Sequence, residues 1–283
     1  MHYATGGRGL PVLFLHGWGL DHRAYQRTLT CLTARNCRVI APAMPGFGAT
    51  PGLPLYDQSL PAYARWVADF LDALDVEEPA VVMGHSFGGG VATMFCHDHS
   101  RPGPVPRDFN SVGDPDAIVA GARRQGLGDV VRSIADPVLQ SIVPTARGAR
   151  ARAAQRIFVE NALRDPVRVA GTALVALSAD LRHEMACLAA RQLPVSVLWS
   201  DRDGVIPLSA FETFCSTFGA EGHAVAGDTP GCSPTPMRSA TCSTTCSRSS
   251  PSSTGARRRP PPSPNSGICC GRRTFPRRRS PGS

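Results

Sequence analysis

The chain has 283 residues, 42% of them hydrophobic and 18% charged, which is enough apolar material for one or two well-packed domains. No stretch reaches the eighteen or so apolar residues of a membrane span, and the first thirty residues lack a secretory pattern, so a cytoplasmic protein with no membrane partner is expected. The net charge of +8 is uneven: residues 1–228 hold 20 arginines against 22 acids, while residues 229–283 hold 10 arginines and no acid, so the body has no basic stripe for nucleic acid.

Pro11 to Leu15 (PVLFL) reads as a short buried strand and runs into His16-Gly17-Trp18-Gly19. A helix is predicted over Ala24–Ala34 and a second strand over Arg38–Met44, followed by a turn at Pro45-Gly46-Phe47-Gly48. From Tyr56 to Leu74, apolar residues fall at helical spacing (Leu60, Tyr63, Ala64, Val67, Phe70, Leu71, Leu74). Strands alternating with helices predict an α/β fold with a mostly parallel sheet.

The most informative stretch follows. Ala80–Met83 is a buried strand, Gly84-His85-Ser86-Phe87-Gly88 is a tight turn, and Gly89–Cys96 is a helix of small apolar residues. G-x-S-x-G between strand and helix is the pattern of a nucleophile elbow, in which a strained backbone projects the serine hydroxyl. Gly84 and Gly88 leave room for neighbouring backbone, and the helix N-terminus offers N–H groups to a developing oxyanion. On its own, the same pattern also fits a glycine-rich turn that happens to contain a serine.

HGWG after one strand, APAMPGFGAT after the next and GHSFGG at the elbow together resemble the α/β-hydrolase fold family, over roughly residues 10–228. The resemblance implies that Ser86 is the nucleophile and that the backbone N–H groups of Trp18 and Phe87 form the oxyanion hole. A serine, where relatives that open epoxides or displace halide from saturated carbon carry aspartate, favours acyl transfer through a tetrahedral intermediate. Carbon–carbon bond hydrolysis and perhydrolysis also use serine in this family and stay open.

Between Asp114 and Arg191 the alternation stops. Helices are predicted over Ala117–Arg124, Asp129–Ile142, Ala151–Leu163 and Val167–Leu188, resembling the family's helical cap. Arg147, Arg150, Arg152 and Arg156 sit among alanines and read as a solvated helix face. The sheet resumes at Pro194–Trp199. Ser200-Asp201-Arg202-Asp203-Gly204-Val205-Ile206-Pro207 then resembles the family's acid turn, with Asp203 as the orienting acid and Asp201 as the second candidate. The expected layout is a core over 1–113, a cap over 114–191, the rest of the core over 192–228 and a disordered tail over 229–283. Five body cysteines (Cys31, Cys37, Cys96, Cys187, Cys215) show no metal spacing and are expected to be reduced and structural. No metal or nucleotide motif occurs, so no cofactor is implied.

A helix is predicted over Phe211–Phe218 and a last strand over His223–Ala226, after which the family places its catalytic histidine. This chain has no histidine after His223, which is the only nearby substitute. The tail from Thr229 lacks hydrophobic periodicity. Its first residues, TPGCSPTPM, explain this when back-translated with one added C: the shifted codons can spell HAWLLADPD. Joined to Asp228, that sequence resembles the family's histidine turn and final helix, which points to a one-base deletion just after the Asp228 codon. The competing reading is a genuine basic tail. Ser100–Phe109 departs from the family in the same manner, and either a compensated pair of base errors or a divergent loop accounts for it. The sequence therefore predicts a serine hydrolase for a small ester or related acyl substrate. The alternative is a non-catalytic ligand binder or inactivated relative.

Overall fold

The computed structural model describes residues 1–76, 81–99, 105–106, 149–200, 208–220, 222–225 and 269–272. Within these, six strands form one sheet: β1 (His2–Gly6), β2 (Leu10–Leu15), β3 (Cys37–Pro42), β4 (Val81–Gly84), β5 (Val105–Pro106) and β8 (Cys269–Arg272). Their order is β5-β4-β2-β3-β1-β8. Four neighbouring strands, β5, β4, β2 and β3, run parallel, as the alternation predicts. β1 is an addition to the predicted set and lies antiparallel to β3. Only its Ala4 is buried, so it carries little hydrophobic signal in sequence. A separate parallel pair joins β6 (Val197–Ser200) to β7 (Gly222–Val225).

Helix α1 (Gln26–Thr33) covers β3, while α2 (Leu60–Asp72) and α3 (Phe87–Asp98) pack against each other. The Ser59 side chain accepts from the Ala62 N–H and caps α2, and proline stands in its first turn, a common way to open a helix. The face predicted by spacing is buried, with Tyr63, Ala64, Val67 and Phe70 fully enclosed. They join Leu13, Leu15, Ile40, Phe87 and Val91 in the main core.

After the undescribed segment come α4 (Ala149–Arg164), α5 (Pro166–Leu177) and α6 (Arg182–Ala190). The predicted single helix over Val167–Leu188 is in fact two. The chain leaves α5 at Ser178, and the Asp180 carboxylate then accepts from the Arg182 N–H and pairs with its guanidinium at 2.6 Å. A short acid just before a new helix that satisfies one of its first N–H groups favours restarting over continuing. The two earlier predicted helices lie outside the described residues. α7 (Leu208–Phe218) completes the set and packs on α6. Val105–Pro106, within the anomalous stretch, adds to β4 in parallel register. Most of the tail lies outside the described residues; within it, Cys269–Arg272 pairs antiparallel with β1.

Candidate active site

In a parallel sheet, functional loops leave the carboxyl ends of the strands. Here Leu15 of β2 lies in register with Gly84 of β4, so the chain leaves both strands side by side. On one side it enters His16-Gly17-Trp18, and on the other His85-Ser86-Phe87. The His85 N–H extends the ladder by donating to the Leu15 carbonyl at 3.0 Å. The residues expected to carry the nucleophile and both oxyanion donors are therefore adjacent by sheet register alone.

Ser86 adopts φ 52 and ψ −119 immediately before α3. A non-glycine residue in that region is costly, by about 1–3 kcal/mol, and persists only where its surroundings enforce it. Two glycines provide the enforcement. A Cβ on Gly88 would lie 2.3 Å from the Leu15 carbonyl oxygen, and one on Gly84 would lie 2.5 Å from the Gly89 Cα. Side chains at either position would push the helix away from the sheet. Ser86 is half-buried, while Phe87 and the next several residues are fully enclosed. As the first residue of α3, Phe87 has an N–H with no intrahelical acceptor, at the positive end of the helix dipole.

The Trp18 loop is held from three directions, by residues that sequence reading assigned no role. The first is the Tyr25 hydroxyl. It accepts from the Gly17 N–H at 3.0 Å and lies 2.7 Å from His85 Nδ1. With Gly17 donating to the phenol oxygen, the phenol proton is available to His85. One buried hydroxyl thus links the residue before Trp18 to the residue before Ser86. The second is His16, fully buried, whose Nε2 accepts from the Met44 N–H at 2.8 Å while Nδ1 faces the Gly17 carbonyl at 2.9 Å. Accepting at Nε2 fixes the neutral tautomer with its proton on Nδ1. Burial lowers the His16 pKa from 6.5 to about 4, against the opposing pull of the Gly17 carbonyl and Asp21.

The third is helix α4. Asn161 is buried, and its amide donates to the Gly19 carbonyl at 3.0 Å while its oxygen accepts from the Gly48 N–H at 3.0 Å. A single side chain thereby joins the HGWG and PGFG loops. Arg23 ties the same region to α4 by pairing with Asp21 at 2.8 Å and Glu160 at 3.0 Å. Trp18 itself packs edge-on to Phe158 of α4, with ring centroids 5.3 Å apart. Its indole N–H donates to the Val169 carbonyl of α5 at 2.8 Å. No local signal in α4 marks Asn161, because its partners lie more than a hundred residues upstream. Tyr25 was read as part of a plain helix and His16 only as part of HGWG.

A model of the alpha/beta hydrolase family matches residues 12–241. The chain belongs to the alpha/beta hydrolase family. Among relatives of this hydrolase-family chain, an uncharacterised protein of Mycobacterium tuberculosis is 28% identical over 228 residues, 73% of this chain and 65% of the relative. The chain thus spans a little under two thirds of the length of the mycobacterial relatives it matches. The pimeloyl-(acyl-carrier protein) methyl ester esterase of Chromobacterium violaceum is 40% identical over 95 residues, 34% of each chain. Among solved structures, an esterase of Rhodococcus superposes with a TM-score of 0.59 at 23% identity, covering 81% of this chain and 86% of the other. At that identity the likeness shows the shared fold.

Asp203 and Asp201 lie outside the described residues, in the connection between β6 and α7. His223 lies within β7, exposed, in register with Leu198 of β6. Among the described residues, no hydrogen bond links it to Ser86. It is the second residue of its strand, whereas an alpha/beta hydrolase site gathers at the carboxyl ends.

Proposed function

We propose that this chain is a serine hydrolase acting on a small carboxyl ester or related acyl substrate. The observation that carries the reading is Ser86 at φ 52 on the tip of β4, beside a Trp18 loop locked by Tyr25, His16 and Asn161. In this reading Ser86 Oγ attacks the acyl carbon while a histidine takes its proton. The Trp18 and Phe87 N–H groups stabilise the oxyanion, the same histidine protonates the leaving alcohol, and water then releases the acid. Asp203 orients the histidine and stabilises its cation, and no cofactor takes part. Helices α4 and α5 belong to the cap that shapes the acyl pocket, within the layout of core, cap, core and tail predicted from sequence. Support for ester chemistry comes from the names of esterase relatives and structural neighbours.

The proton acceptor is the histidine that a restored frame encodes directly after Asp228. In the chain as written His223 is the only substitute, and its place inside β7 argues against it. A second reading, an inactivated hydrolase or a ligand binder, is favoured by the lack of any histidine after His223. A fluorophosphonate probe separates the two. In the frame-restored protein it should modify Ser86, and Ser86→Ala should abolish labelling and lower kcat by roughly 10³-fold or more. Labelling that survives Ser86→Ala removes the assignment.

A further inference from the structure

At the far end of α3 from Ser86, three side chains with metal-ligating atoms converge. His183 and Cys187 lie one turn apart on α6, with Nε2 and Sγ separated by 3.6 Å. His97, near the end of α3, brings its ring centroid to 6.0 Å from that of His183. One ligating atom from each of the three lies within 4.8 Å of the others. We infer that His97, His183 and Cys187 form a binding site for a divalent transition-metal ion, with Zn²⁺ the best match, that clasps α3 to α6.

The ligand chemistry selects the ion. One thiolate and two imidazoles suit zinc, whereas magnesium and calcium prefer oxygen. Zn–N near 2.0 Å and Zn–S near 2.3 Å at tetrahedral angles set N and S about 3.5 Å apart, close to the observed 3.6 Å. The site also has an outer partner. His97 Nδ1 is bonded to the Asp98 carboxylate at 2.7 Å, which leaves Nε2 for the ion. Carboxylate, histidine and metal in line is the arrangement that fixes a ligating imidazole's tautomer and raises its basicity. The His97 carbonyl accepts from Arg191 at 3.2 Å, which further anchors this end of α3 to the turn after α6. His183 is exposed and the other two are partly so, so an ion can enter and a water can complete the tetrahedron. On binding, Cys187 loses its thiol proton to solvent and no redox step is involved. His97 lies ten positions beyond Phe87 on α3, about 15 Å along the helix, so the ion would not touch the acyl chemistry.

The test uses the full chain with Co²⁺ as a spectroscopic probe. Five tail cysteines (Cys232, Cys242, Cys246, Cys269, Cys270) could bind metal by themselves, so they are first replaced by serine. This background should bind one Co²⁺ per chain with a thiolate-to-cobalt charge-transfer band and tetrahedral d–d bands, both displaced by Zn²⁺. Cys187→Ala should remove the charge-transfer band. His183→Ala, at an exposed position that tolerates truncation, should weaken binding by on the order of 100-fold or more, and Asp98→Asn by about 10- to 100-fold. Zn²⁺ should raise the melting temperature of the background and leave that of Cys187→Ala unchanged. A background with no charge-transfer band, or a band that survives both Cys187→Ala and His183→Ala, overturns the inference.

Discussion

His16 shows how a residue near the candidate nucleophile makes stability depend on pH. Its pKa is about 4 in the folded chain against 6.5 when solvated, because burial penalises the cation. The unfolded chain therefore takes up a proton as pH falls through 6.5, while the folded chain refuses it until about pH 4. Stability from this group is fully present above pH 6.5 and is lost between 6.5 and 4, by about 3 kcal/mol in total. Denaturant unfolding at several pH values should show this slope, and His16→Asn should flatten it while lowering stability at pH 7. An unchanged slope would mean that another group sets the acid limit. Tyr25→Phe makes a separate test at this scale. The ring still packs on Phe14, but the Gly17 N–H loses its buried acceptor, a cost of about 1–3 kcal/mol. Because Gly17 precedes a proposed oxyanion donor, kcat in the frame-restored enzyme should fall about 10-fold with little change in KM. A change confined to KM would place Tyr25 in substrate binding instead.

Single helices couple loops that are distant in the chain. α4 reaches the loops through Asn161, and Asn161→Ala would leave the Gly48 N–H and the Gly19 carbonyl without that partner in a buried place. Chemical unfolding should register a loss of about 2–4 kcal/mol. Asn161→Asp keeps an acceptor for Gly48 but sets an oxygen against the Gly19 carbonyl, so it should recover only part of the loss. Full recovery would show that the Gly48 bond alone matters. The elements built on local pattern were legible in sequence. β2, β3, β4, α2 and α3 follow from short apolar runs, helical spacing and the glycine-flanked Ser86. What local pattern could not carry was missed. β1 buries one residue and depends on β3 for its existence. The restart at Arg182 depends on one capping acid. Asn161 gains meaning only from partners far away in the chain, and Tyr25 in part from His85, sixty residues on; His183 and Cys187 are local neighbours, but the proposed third ligand, His97, comes from a different helix far upstream.

Taken as a whole, the proposed nucleophile and oxyanion donors sit on described elements, β4, α3 and the loop after β2, whereas the proposed base depends on sequence after Asp228. Asp201 and Asp203, in the sequence between β6 and α7, are the two candidates for the proposed orienting role. Asp203→Asn should cost on the order of 100-fold or more in kcat/KM beyond the cost of Asp201→Asn, since only one can hold the histidine in the required tautomer. Equal losses would leave the choice without support. In the proposed reading this chain is a serine hydrolase whose base was displaced from its reading frame. The most direct test is p-nitrophenyl ester turnover by the chain as written and by the chain with one C inserted after the Asp228 codon. The account predicts near-absent turnover in the first, recovered turnover and a higher melting temperature in the second, and loss of turnover with most of the thermal gain kept when the restored histidine is replaced by alanine. Efficient turnover by the chain as written, abolished by His223→Ala, would contradict it.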